Sequence, residues 1–153
     1  MYDGHGGHGC ADFLRDNLHQ YVIREPSFPS NPTQALVDGF AKAEDKFIEI
    51  NTTPNGLLDK SGSCANVALI FGNMCYIANV GDSRAVLSAE GGKKAYPLSV
   101  DHKPTESSEI KRIEEHGGKI YQTQTQLPRN NVDEPPQFIV GPPRVAPGRL
   151  SVS

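Results

Sequence analysis

The hydrophobic pattern changes period near residue 63, and that change limits the fold more than any other feature of the chain. Before it, apolar residues recur every three or four positions, as on helices; after it they alternate or form short runs broken by turn residues, as in strands. Residues 8 to 24 read as an amphipathic helix, with Leu14, Leu18, Tyr21 and Val22 on one face and Arg15, Asp16, Asn17 and Gln20 elsewhere. Pro26 ends it, because proline lacks an amide donor and clashes with the preceding turn. A second helix starts with Asn31 as cap, Pro32 at the first helical position and Gln34 closing a capping box. Its apolar seam, Leu36, Phe40, Ala43, Phe47 and Ile50, needs a partner helix or a sheet to cover it.

The strand half begins with Val67 to Phe71, turns at Gly72-Asn73 and runs back over Met74 to Val80 as a hairpin. Gly81-Asp82-Ser83 interrupts, Arg84 to Leu87 resumes, and Glu90-Gly91-Gly92 turns again before Ala95 to Val100. A third helix is expected over Glu106 to Glu115, capped by Thr105, buried at Ile110 and Ile113, and stopped by His116-Gly117-Gly118. Residues 122 to 149 read as a long excursion with one short strand at Phe138 to Val140, since half of the twelve prolines fall in 128–147. Helices first and then an antiparallel meander make the expected class α+β.

Charge and length exclude several functions. A net charge of −3 offers no basic footprint for nucleic acid. No apolar run reaches the roughly 20 residues of a membrane helix, and the first residues lack the charged start and apolar stretch of a secretory signal. Three cysteines without zinc spacing point to a reducing, intracellular setting, cytoplasmic or nuclear.

Chemistry concentrates in Asp3-Gly4-His5-Gly6-Gly7-His8-Gly9. Four glycines allow close approach of backbone to a ligand, and an aspartate with a freed carbonyl can offer hard oxygen to magnesium or manganese. A loop at the start of the chain explains the same composition. Gly4, Gly6 and Gly9 satisfy a G-x-G-x-x-G spacing, but a proline loop and a second helix follow where a dinucleotide fold needs a strand. His5, His8 and Cys10 resemble no closed zinc set. Asp82 stands at the end of an apolar strand, where it either binds metal at a sheet rim or closes a turn. No cysteine is followed five residues later by a phosphate-holding arginine, and no serine lies in a nucleophile elbow.

Six stretches in order carry a resemblance: Asp3-Gly4-His5-Gly6-Gly7; Ser61-Gly62-Ser63-Cys64-Ala65; Val80-Gly81-Asp82-Ser83-Arg84-Ala85; Asp101-His102-Lys103-Pro104; Glu109 with Arg112-Ile113 and Gly117-Gly118; and Gly148-Arg149-Leu150-Ser151-Val152-Ser153. Together they resemble the metal-dependent protein serine/threonine phosphatases, the PPM or type 2C family. The resemblance implies a two-layer antiparallel β-sandwich flanked by helix pairs, incomplete here. It implies hydrolysis of phosphoserine and phosphothreonine on a phosphoprotein substrate by water activated on two ions of Mn2+ or Mg2+, about 3.5–4 Å apart, with a third, weaker site in some members. By position, Asp3 bridges the metals, Gly4 offers its carbonyl, Asp82 binds the additional ion and His5 protonates the leaving oxygen. Residues 118–148 correspond to a flap-like insertion within a single partial phosphatase domain spanning 1–153.

The same resemblance places a phosphate-binding arginine and an acidic residue upstream of Asp3, and two metal-binding aspartates downstream of Leu150-Ser151-Val152-Ser153, an alternating stretch that reads as the start of a strand. The expectation is a piece of a phosphatase, inactive alone and monomeric when complete. The rival expectation is a pseudophosphatase or protein-binding module without catalysis.

Overall fold

The two helical patterns form α1 (Gly9–Ile23) and α2 (Pro32–Asn51) in the computed structural model, which describes residues 1–128, 136–146, 148 and 150–152. Asn31 caps α2 by accepting the Gln34 amide at 3.2 Å, with Pro32 in the first turn. The capping box is only half made. Gln34 turns its side chain to Asp38 at 2.9 Å, because the Asn31 amide already donates to Ser27 at 2.7 Å. Along the seam Leu36 and Ala43 are buried and Phe40 and Phe47 half-buried, but Ile50 is 60% exposed. The helices run antiparallel, with Phe13 tilted against Phe47 at 5.4 Å and Gly39 against Val22, so the longer α2 carries its first turns past the end of α1. At Gly39 they approach tightly: a Cβ built there would lie 2.9 Å from the Val22 Cα.

The chain divides into two compact units, Met1–Val100 and Asp101–Ser153. In the first, β1 (Tyr2–His5) precedes α1, and after α2 come the short pair β2 (Thr52–Thr53) and β3 (Gly56–Leu57). Next are β4 (Gly62–Phe71) and β5 (Met74–Val80), then β6 (Val86–Ala89) paired with β7 (Lys94–Pro97). The main sheet has the order β1-β4-β5, and every pairing is antiparallel. Its hairpin turns in two residues at Gly72-Asn73, with Gly72 at φ 59°, a left-handed conformation that glycine adopts without Cβ strain. The glycine-rich N-terminal stretch is not a loop throughout. Tyr2–His5 pairs with β4, which is why β4 starts at Gly62 and not at Val67, and only Gly6 and Gly7 turn with positive φ. Leu18, Val22, Ala35, Leu36 and Ala43 form the core, and Tyr2, Val67, Leu69, Tyr76 and Ala78 of the sheet pack on it.

In the second unit α3 (Ser107–Glu115) is flanked by Glu106, not by Thr105, and receives no side-chain cap. Its end is as expected: Gly117 at φ 79° lets the Gly118 amide reach Ile113 at 2.8 Å and the Gly117 amide reach Glu114 at 3.0 Å. Glu109, 9% exposed, is held in the helix by the Arg112 guanidinium at 2.7 Å. Where the sequence pattern reads as an excursion with one short strand, β8 (Lys119–Gln126) and β9 (Phe138–Ala146) form a hairpin ladder, irregular between Gln122 and Gln124. Pro142 and Pro143 lie inside β9, and Pro135 and Pro147 outside the described residues. Leu150 makes a bridge to Val145 and not a run of strand; Arg149 and Ser153 lie outside the described residues.

Candidate active site

Alternation along β1 sorts its residues onto two faces. Tyr2 and its partner Ala65 lie on the side of the helices, where Tyr2, Val67, Leu69, Tyr76 and Ala78 meet the core. Asp3 and His5, one step out of phase, lie on the other side with their partners Cys64 and Gly62. Asp82 comes to that side from the end of β5, its Oδ1 3.5 Å from the Cys64 sulfur. Asp3 and Asp82 therefore flank one buried residue, Cys64, which is 3% exposed. Gly4 is out of phase with them: a Cβ there would meet the Gly7 oxygen at 3.1 Å and the Ala11 Cβ at 3.2 Å, so its bareness lets the turn and α1 approach the strand.

Residues 59–62 form a platform under this turn. Asp59 accepts the Ser61 amide at 2.8 Å, and the Ser61 hydroxyl accepts the Cys10 amide at 2.9 Å, serving the start of α1 where His8 supplies no cap. A Cβ on Gly9 would lie 1.9 Å from Asp59 Oδ2, so the carboxylate rests against the first helical residue. The Ser61 amide and hydroxyl hold the Asp59 carboxyl below its usual range. Burial, with Glu44 and Asp59 adding to it, pushes the Cys10 thiol up to about 11, and burial raises Cys64 as well. Both sulfurs stay protonated at neutral pH, which disfavours them as nucleophiles or metal ligands. His8 pairs with Asp12 at 2.7 Å, and the zinc grouping of His5, His8 and Cys10 does not form.

Two asparagines that the sequence reading passed over tie down the loop carrying Asp82. Asn66 and Asn79, cross-strand partners, join through Asn66 Nδ2 and Asn79 Oδ1 at 2.7 Å. Asn79 donates to the Gly81 carbonyl at 3.1 Å and to Val100 at 3.0 Å, and Asn66 reaches Ser83 at 3.5 Å and the Ser99 hydroxyl at 3.4 Å. The carbonyls on both sides of Asp82 are thus held by one amide pair. The signal was present: two amides in mid-strand, inside Cys-Ala-Asn-Val-Ala and Ile-Ala-Asn-Val-Gly, are expensive to bury without partners.

The oxygen donors Asp3, Gly4 and Asp82 are of the hard type that manganese or magnesium takes. Among the described residues, however, no three His, Cys, Asp or Glu side chains converge on a point that could hold an ion. The donor type fits such a cation and the number does not. Asp101-His102-Lys103-Pro104 belongs to the second unit, where Lys103 pairs with Asp101 at 3.0 Å.

A family model described as protein phosphatase 2C matches residues 1–132. The chain is 42% identical over 120 residues to the probable protein phosphatase 2C member 13, mitochondrial, of Oryza sativa subsp. japonica, covering 78% of this chain and 32% of that protein. It is 40% identical over 120 residues to the probable protein phosphatase 2C 52 of the same plant, covering 78% of this chain and 23% of that one. With the probable protein phosphatase 2C 59 of Arabidopsis thaliana it shares 39% over 120 residues, 78% of this chain and 37% of the relative. The chain thus spans well under half the length of these relatives. Among solved structures, the serine-threonine phosphatase 2C from Toxoplasma gondii superposes with a TM-score of 0.65 at 22% identity, covering 78% of this chain and 44% of that one. A C. elegans sex determining protein superposes at 0.71 and 24% identity, over 99% of this chain and 33% of that chain. Both likenesses establish the fold.

Proposed function

The chain belongs to the protein phosphatase 2C family, and from that premise we propose that it supplies one side of a centre for metal-dependent hydrolysis of phosphoserine and phosphothreonine in proteins. The observation that carries the reading is the gathering of Asp3, His5 and Asp82 on the sheet face turned away from the helices. His5 is the proton donor to the departing serine or threonine oxygen. Asp3, the Gly4 carbonyl and Asp82 are the oxygen ligands this chain offers to a cation, Mn2+ or Mg2+. Among the described residues no three ligating side chains converge; in this reading the chain supplies only part of the centre and is inactive by itself. That same observation favours a second reading, a non-catalytic module that holds a phosphoprotein. An intracellular setting is supported by the free thiols of Cys10, Cys64 and Cys75; no described helix is long and apolar enough to cross a membrane.

The test is a graft. Residues 1–132 replace the matching segment of a full-length family relative, and phosphate release from a phosphoserine peptide is followed with and without manganese. We expect metal-dependent release from the graft, none from the chain alone, and a loss of about 10²-fold on His5→Ala, the lower range for removing a general acid. A graft that folds and releases no phosphate would overturn the catalytic reading in favour of the binding module.

A further inference from the structure

Gly62 has no backbone reason to be glycine. It opens β4 opposite His5, the last residue of β1, and it is absent from the glycines of positive φ, so any L-residue could adopt its conformation. Glycine inside a strand weakens it, through lost side-chain contacts and added chain entropy. What distinguishes the position is the space beside it. A Cβ built on Gly62 would lie 2.5 Å from His5 Nε2, 3.1 Å from Cδ2 and 3.4 Å from Cε1, while all other neighbours are more distant. The imidazole, by its Nε2 edge, occupies the volume that a side chain at 62 would fill.

We infer that Gly62 is a positioning residue for His5: its missing side chain sets where the imidazole lies on the sheet. The inference rests on the reading of His5 as proton donor and adds the residue that aims it. The atoms in conflict belong to the free end of a side chain, so alanine at 62 is accommodated by turning the ring, not by parting β1 from β4. A displacement of about 1 Å at a reacting group costs on the order of 10²-fold in rate. The bland alternative is that the ring covers a bare cross-strand glycine and serves only to shield the ladder. The two differ in what moves when the glycine is replaced.

The first measurement uses the full chain in solution by nuclear magnetic resonance. In the parent, cross-relaxation links the His5 ring protons to the Gly62 Hα protons, and the ring makes those two Hα shifts unequal. In Gly62→Ala we expect the ring to leave its contact with residue 62 while the amide signals of α1, α2 and β5 keep their positions. A ring that keeps its contacts in Gly62→Ala overturns the inference. Should that variant not fold, His5→Ala decides: the Gly62 Hα inequality collapses if the ring lies there, and its persistence overturns the inference. The second measurement places Gly62→Ala in the graft and compares a phosphoserine peptide, whose alkoxide needs a proton to leave, with an aryl phosphate, whose phenolate does not. The ratio of the two turnovers is expected to fall at least tenfold. Equal loss toward both marks a shielding role and overturns the inference. A graft inactive toward both substrates before any substitution counts against the proposed function alone, and the ring contacts then decide the role of Gly62.

Discussion

Leu18 is 1% exposed at the centre of the helix–sheet core, and its truncation opens space that the flanking Val22, Ala35 and Leu36 fill only in part. Leu18→Ala is expected to destabilise the first unit by about 2–5 kcal/mol, read as a lower denaturant midpoint. Asp59 gives a prediction of opposite visibility, since it lies outside that core. Its carboxyl titrates below its ordinary value of 3.8 because the folded state donates the Ser61 amide and hydroxyl to it. The stability it contributes is therefore present above pH 3.8 and is lost as pH falls through the lower folded value. Asp59→Asn should melt below the parent at neutral pH, and the gap should close in acid; a gap that persists in strong acid would show that charge is not its source. Leu18 was legible in the sequence because its neighbours repeat every three or four positions. Asp59 was not, because a side chain that serves a helix fifty residues away leaves no periodic trace. Asp3, His5 and Asp82 were singled out through motif order, whereas Gly62, though inside one of the six ordered stretches, carried no sign of a neighbour across the sheet.

At the scale of elements, two contacts decide whether the pieces fit. Exposed glycine in a helix is improved by alanine by about 1 kcal/mol, but Gly39 lies against α1. Its substituent would meet Val22 at Cγ2, Cα and N, at 2.7, 2.9 and 3.0 Å, and backbone does not step aside cheaply. Gly39→Ala should therefore lower the melting temperature, the reverse of its effect on an isolated α2 peptide. The Asn66–Asn79 pair joins β4 and β5 to the segments around Asp82 and Ser99, and Ser99 in turn accepts the Ala85 amide at 2.9 Å. Asn79→Ala leaves the Gly81 and Val100 carbonyls without that donor. We expect a loss of about 1–3 kcal/mol and faster amide exchange at Ala85, with the helices unaffected. The helices and the β4–β5 hairpin could be read in advance because their spacing and turn residues agree. The β8–β9 ladder could not. Its first strand alternates glutamine with threonine, and its second contains two prolines, so neither carries the apolar alternation by which strands are recognised.

At the scale of the molecule, burial is unequal between the two units. The buried apolar residues Cys10, Leu18, Val22, Ala35, Leu36, Ala43, Cys64 and Ala65 all belong to Met1–Val100, and among the described residues only Pro104 and Ile113 represent Asp101–Ser153. Amides of β8 and β9 should accordingly exchange through openings of lower free energy than those of β4 and β5, measured under one condition in one sample. Equal protection would mean that the units unfold as one. The three-stranded sheet has a further property that follows from alternation alone. A slip of one residue between β1 and β4 would bring Tyr2 and Gly4 to the face where Asp3 and His5 now stand. Such a slip sends the tyrosine away from the core and the acid into it, so the pairing that keeps grease under the helices is the same pairing that presents the acid and the imidazole. The proposed centre is a matter of odd and even: errors of register would not weaken it by degrees, they would exchange it for its blank reverse.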